Sequence, residues 1–427
     1  MSGSTEDLFI GGALDERRRR IAEICSSSPM FNVVTRRVDR RHLEDASGHW
    51  LGDFATQDYL GIDFDPEVLE AAVEATRKYG SVVAWCRLVA TVDLFTQAEA
   101  EIAKLVGTEA ANIFASTTLL NHGVIPALAG KDSVIFLDKA GHATMYEGAK
   151  LARDSGSKLV SFPSEDHLAL ERLLEEHRAT PKKLILTDGV YSMTGDYANL
   201  PRLAELARRH QALLFVDDAH GFGVVGERPD ASHPYGRRGN GLVRYFDLHD
   251  PNILYVGCFS KAYGTYGSFI ACSTAMRSFL LSQATPHDLG GHGPASAMAA
   301  LLAGLRINAE RGDAIRERLH ALTVQALTGL RDLGLEVENS TDFPIISVWL
   351  GNSEHMIEAS KILYRNHVLL TLAPYPMVRR GDEAFRLTVT PTNTEEQLQA
   401  LFTGFREVRD YLTRQGLPLR RPAAERP

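Results

Sequence analysis

A lysine, an acid and two histidines each follow a short apolar run in this chain. ALLFV leads into Asp217-Asp218-Ala219-His220-Gly221-Phe222-Gly223, and NILYVGCF leads into Ser260-Lys261-Ala262-Tyr263-Gly264. KLILT leads into Asp188-Gly189-Val190-Tyr191-Ser192, and SVIFLD into Lys139-Ala140-Gly141-His142. Singly, each has a plain reading: a solvated loop cation for Lys261, a helix N-cap for Asp217 or Asp218, a hydrogen-bonded structural histidine for His142 or His220. Together they suit one chemistry. Pyridoxal phosphate needs a lysine to bond its aldehyde carbon and an acid to keep its ring nitrogen protonated, so that the ring draws in electrons. Its phosphate needs donors, often the free amides at a helix start.

Such a set acts only if the fold gathers it. Ligands of open α/β sheets sit beyond the carboxyl ends of the strands, where these residues fall. Strand-like runs occur at 133–138, 158–162, 183–189, 212–218 and 252–259, each short, apolar and rich in branched residues, as expected of strands buried on both faces. Helix-like stretches with apolar residues three and four apart occur at 66–80, 94–107, 165–178 and 200–211. The alternation predicts an α/β fold with a mainly parallel, doubly wound sheet. From about Ala295 the pattern changes to a long Ala/Leu-rich helix followed by helices and a few strands (343–351, 368–373, 385–390). This predicts an N-terminal segment over 1–60, a large domain over 61–294 and a smaller α+β domain over 295–427. Residues 1–10 and the tail from Gly416 read as frayed ends.

The remaining features are mostly exclusions. The 427 residues are 44% hydrophobic and 23% charged, with a net charge of −8, which gives no global basic field for nucleic acid. Arg17–Arg20 reads as a solvated helix face. Cys25, Cys86, Cys258 and Cys272 form no C-x-x-C pair and suggest neither a disulfide framework nor a metal site. No run approaches a membrane span, no signal peptide is evident, and a cytoplasmic location is expected.

Six ordered motifs, FATQDYLG, YGSVVAWCRLVAT, DKAGHAT, TDGVYSMTGD, VDDAHGFGVVG and FSKAYGTYGSF, make the chain resemble the α-oxoamine synthase family of pyridoxal-phosphate enzymes. The resemblance runs from about Phe54 to beyond FRLTVTPTNT and implies fold type I. It implies that Lys261 bonds the cofactor, Asp217 faces its ring nitrogen, His220 its phenolic oxygen and His142 its ring face, with Ser192 beside it. Thr117, Thr118, Ser260 and Cys258 fall where the phosphate is held. Arg386 matches the arginine that grips a substrate carboxylate, a role its planar guanidinium suits.

The same resemblance implies a homodimer that condenses an amino acid with an acyl thioester, carried by CoA or a carrier protein, usually with decarboxylation, to an α-aminoketone. Lys261, Asp217, His220 and His142 are the expected catalytic residues. Departures cluster at the substrate wall. Val82 and Trp85 stand where glycines are usual, Gln57 replaces an asparagine, and Gly290-Gly291-His292-Gly293-Pro294 replaces a stretch that normally lends a threonine to the partner's phosphate site. These changes keep other reactions on the same scaffold open, aminotransfer or an aldol-type step among them. A non-catalytic partner subunit is disfavoured because Lys261, Asp217 and His220 are all retained.

Overall fold

Seven strands, labelled β1–β7 along the chain, form the main sheet: β1 Ala110–Phe114, β2 Ser133–Asp138, β3 Lys158–Phe162, β4 Lys182–Asp188, β5 Leu213–Asp217, β6 Ile253–Cys258 and β7 Ser268–Cys272. Their order across the sheet is β1-β7-β6-β5-β4-β2-β3. The five strands from β3 to β6 pair in parallel, and β7 runs antiparallel to both β6 and β1. The computed structural model describes residues 16–375 and 377–422.

β2 and β6 are buried end to end, β4 and β5 are buried beyond their first residues, and β3 is the most open, with Lys158 and Ser161 exposed. Helices between them make the crossovers that parallel pairing requires. Their ends follow local sequence. Asp65 caps the helix Pro66–Tyr79, with proline at its first position, and Gly80 stops it at φ 80°. Ser116 caps Thr117–Leu128 by accepting from the Leu119 amide, and Asn199 caps Leu200–Arg209. A dry core of Leu120, Val124, Ile125, Ile135, Leu137, Met145, Phe215 and Val256 lies between the helices Thr117–Leu128 and Ala143–Asp154 and the sheet.

The chain divides into two compact units, Gln57–Leu322 and the pair of segments up to Thr56 and from Thr323 onward. The sheet belongs to the first. The division falls inside the helix Ala295–Asp332, whereas the sequence pattern changes where that helix begins. The second unit holds an antiparallel sheet of Val337–Glu338, Ile345–Trp349, Ala384–Thr388 and Thr371–Ala373, with helices Ser353–Arg365 and Glu395–Arg414. Its N-terminal segment is tied in by pairing of Gly52 with Val368 and by Gln397 Nε2 donating to the Arg41 carbonyl at 2.7 Å.

The tail is a correction. Residues 1–10 and 423–427 lie outside the described residues, but the chain just beyond Gly416 is docked. Arg421 is buried and pairs with Glu338 at 2.8 Å and Asp382 at 3.1 Å, while Leu419 accepts from the Glu336 amide. Polar composition suggested fraying, yet an arginine with two carboxylates to meet stays ordered.

Candidate active site

Four strand ends and one helix start bring the chemistry-bearing residues to one cavity of about 190 Å³. Ser116, Thr117, Thr118, His142, Asp217, His220, Cys258, Ser260 and Lys261 line it, together with Thr144, Asp188 and Ala219. All belong to the Gln57–Leu322 unit. A wider surface depression of about 750 Å³, around Glu171, Arg172 and Arg209, gathers no such set.

Asp217 ends β5 and is almost fully buried. Its Oδ2 accepts from Asn121 Nδ2 at 3.0 Å, and its Oδ1 accepts from the Ala219 amide at 3.3 Å. The Asn121 amide also donates to Thr144 Oγ1 at 3.0 Å, and Thr144 Oγ1 lies 2.9 Å from His142 Nδ1. An acid and an imidazole are thus joined through two neutral groups. His142 caps the helix Ala143–Asp154, its ring accepting from the Thr144 amide, while its own amide donates to Asp188 Oδ1 at 3.1 Å. On the far side, His220 Nδ1 lies 2.7 Å from the Tyr59 hydroxyl, which fixes the ring's orientation.

The second acid behind Asp217 shows how tightly this end is built. Asp218 is fully buried, and its Oδ2 accepts from the Leu242 amide at 2.7 Å and the Tyr255 hydroxyl at 2.9 Å. Burial pushes its carboxyl up to about 7. Side-chain-free Gly189 and Gly221 are needed here, because a Cβ at either would run into the Asp218 carboxyl.

The residues fit pyridoxal phosphate. At the start of the helix Thr117–Leu128, Thr117 Oγ1 is buried with no hydrogen-bond partner, an orphan donor beside the Thr117 and Thr118 end of the helix. Across the cavity Cys258 Sγ and Ser260 Oγ lie 2.8 Å apart. An anion set between them would meet hydroxyls and the positive end of a helix. Lys261 and Asp217 supply the amine and the acid.

Not every expected residue lies in this lining. Ser192 and Gln57 are half-buried, and Val82 and Trp85 are exposed, at 56% and 41%, in the loop beyond Gly80. Arg386 lies in the other unit, on the strand Ala384–Thr388. It is only 6% exposed, and its Nε and Nη2 have no hydrogen-bond partner among the described residues, so that an anion would satisfy them. Asn121, Thr144, Tyr59 and Asp188 escaped the sequence reading. Asp188 carried a signal in its place at a strand end, and Tyr59 and Thr144 in lying within FATQDYLG and DKAGHAT; Asn121 comes from a helix whose approach to the cavity only the fold reveals.

A model of the class I and II aminotransferases matches residues 53–405. The chain belongs to that family. It is 34% identical over 348 residues to 8-amino-7-oxononanoate synthase of Trichlorobacter lovleyi, covering 81% of this chain and 85% of that protein. It is 31% identical over 355 residues to serine palmitoyltransferase of Bacteroides ovatus, covering 83% and 86%. Among solved structures, serine palmitoyltransferase from S. paucimobilis with bound PLP–myriocin aldimine superposes with a TM-score of 0.85 at 25% identity, over 96% of this chain and 100% of that one. The 8-amino-7-oxononanoate synthase of Francisella tularensis gives 0.69 at 25% identity, over 86% and 99%. The family member described here is thus a fold-type I enzyme of the α-oxoamine synthase kind, and its cofactor is pyridoxal phosphate.

Proposed function

We propose that the protein condenses an amino acid with an acyl thioester, of CoA or of a carrier protein, and releases an α-aminoketone after loss of CO2. The observation that carries this reading is that Lys261, Asp217, His220 and His142 all line one cavity. The cofactor, when bound, supplies an electron sink for the pair left on the amino acid's α-carbon.

The chain's own groups divide the rest. Asp217, held by the Asn121 amide, presents a fixed carboxylate to the ring nitrogen and keeps a proton there. Lys261 would hold the cofactor, and its Nζ would accept the amino acid's α-proton. His220, oriented by Tyr59, serves the phenolic oxygen. His142, held at its amide and its ring, would help hold the cofactor and would donate to the acyl carbonyl oxygen. Thr117, Thr118, Ser260 and Cys258 hold the phosphate, and Ser192 supports the cofactor from the loop after β4. Arg386 binds the amino acid's carboxylate, a role supported by its buried unpaired nitrogens. Gln57, Val82 and Trp85 shape substrate choice.

A homodimer belongs to the same proposal. Leu88, Val89 and Leu289 are each more than 70% exposed on two loops that meet where Cys86 bridges Gly291, an apolar surface suited to a second copy.

The test is a panel of amino acids offered to the cofactor-loaded enzyme with acyl-CoA or acyl-carrier protein, following thiol and CO2 release. Thiol release that needs one amino acid and disappears in Lys261→Ala supports the synthase. Conversion of the cofactor to its amine form by an amino acid, with keto acid formed and no thioester consumed, moves the enzyme to aminotransfer.

A further inference from the structure

Asp188, the residue that holds the His142 amide, ends β4, is 97% buried and lines the cavity. In the parallel pair β4–β5 it lies directly in register with Asp217, so the two carboxyls emerge side by side from neighbouring strands. Two carboxylates this close and this buried do not both ionise cheaply. Their hydrogen bonds separate their roles. Asp217 takes a side-chain amide from Asn121 on Oδ2 and a main-chain amide on Oδ1. Asp188 receives the single amide of His142. The charged and titratable groups around Asp188 are Asp217, Asp138, Lys261 and Tyr191, and burial with the Asp217 charge pushes its carboxyl well above the usual range.

The same contact controls His142. The turn Lys139–Gly141 returns from β2 to the helix Ala143–Asp154, and His142 is held on either side: its amide by Asp188 and its ring by Thr144. Removing the first hold leaves the ring pinned to a residue two places along in its own turn. We propose that Asp188 is a positioning residue that fixes His142 over the cavity, beside Asp217. The inference rests on the cavity being the cofactor site.

The chemistry distinguishes substitutions. A neutral carboxyl and an amide have the same shape, and both offer an oxygen to the His142 amide. Asp188→Asn therefore restores most of what Asp188→Ala loses. The experiment titrates each apo-protein with pyridoxal phosphate from pH 6 to 9 and follows the His142 imidazole by NMR in the same apo-proteins. Asp188→Ala is expected to bind the cofactor about tenfold more weakly and to shift the His142 resonances, with Asp188→Asn recovering affinity to within about threefold and the wild-type resonances. Equal losses in both variants would show that an ionised Asp188 is required and overturn the proposal. Wild-type behaviour in Asp188→Ala would overturn it as well. Wild-type protein that binds no cofactor defeats the functional reading instead, while the apo-protein resonances still report whether Asp188 holds His142.

Discussion

Asn121 Nδ2 lies 3.0 Å from Asp217 Oδ2 and 3.0 Å from Thr144 Oγ1. One fully buried amide, a turn inside the helix that starts at Thr117, thereby ties the acid of the site to the residue that orients His142. A short polar side chain with two donors is the simplest group that meets both oxygens.

Replacing Asn121 with Leu keeps a branched side chain of four heavy atoms and removes both donors. A hydrogen bond to a charged group is worth roughly 1.5–3 kcal/mol, so cofactor affinity is expected to fall at least about tenfold. Titrating the apo-protein with pyridoxal phosphate checks this. Unchanged affinity with intact folding would mean that Asp217 needs no such support.

Tyr59 contributes a hydroxyl to His220 from a ring that is wholly buried. In Tyr59→Phe the ring remains and the 2.7 Å contact is lost. A net cost of about 0.5–1.5 kcal/mol corresponds to roughly a two- to tenfold loss of turnover with the cofactor still bound. Steady-state kinetics beside a cofactor titration separates the two effects; loss of cofactor with no change in kcat for the loaded fraction would refute it.

Much of this site was legible because β2, β4, β5 and β6 are continuous apolar runs that end on polar residues. Reading past their ends found Asp217, His220, Lys261 and His142. β1 and β7 gave no comparable signal, since AANIF and SFIAC mix small and polar residues into five positions. Their strand character comes from antiparallel pairing with each other, a non-local fact. Asn121 looks like an ordinary helix residue until its helix packs. The change of pattern at Ala295 marks a helix start and carries no information about where contacts divide along that helix. Val82 and Trp85 were readable only as departures from a family, and both are exposed.

Glu99 is a buried carboxylate shared by two arginines. Its Oε1 meets Arg87 Nη1 at 2.5 Å, its Oε2 meets Arg277 Nη2 at 3.2 Å, and the Ile113 amide donates to it at 3.1 Å. Glu99→Leu strands the Arg87 guanidinium, 94% buried over the Phe95 ring, without its counter-charge. The expected loss is about 3–5 kcal/mol, and the double variant Glu99→Leu/Arg87→Met is expected to lose less than Glu99→Leu alone. Urea unfolding of both checks this; a double variant at least as unstable as the single one would contradict it.

Asp218 makes stability depend on pH with a sign that follows from its surroundings. Its Oδ2 has two donors, its Oδ1 is buried with no partner, and its carboxyl is raised to about 7 by burial. The folded state therefore holds this proton more tightly than the unfolded chain does. The stabilisation is complete below about pH 4, where both states are protonated, and is lost progressively as pH rises through about 7. Asp218→Asn keeps an oxygen for the Leu242 amide and the Tyr255 hydroxyl and has no proton to lose. Its stability relative to wild type should rise from pH 4 to 7 and then level, with a ceiling of about 4 kcal/mol at roughly 1.4 kcal/mol per unit. Urea midpoints at unit steps from pH 4 to 9 measure that difference. Parallel curves for the two proteins across the whole range would show that Asp218 is ionised in the fold, and its buried Oδ1 would then have to be balanced by a group other than its own proton.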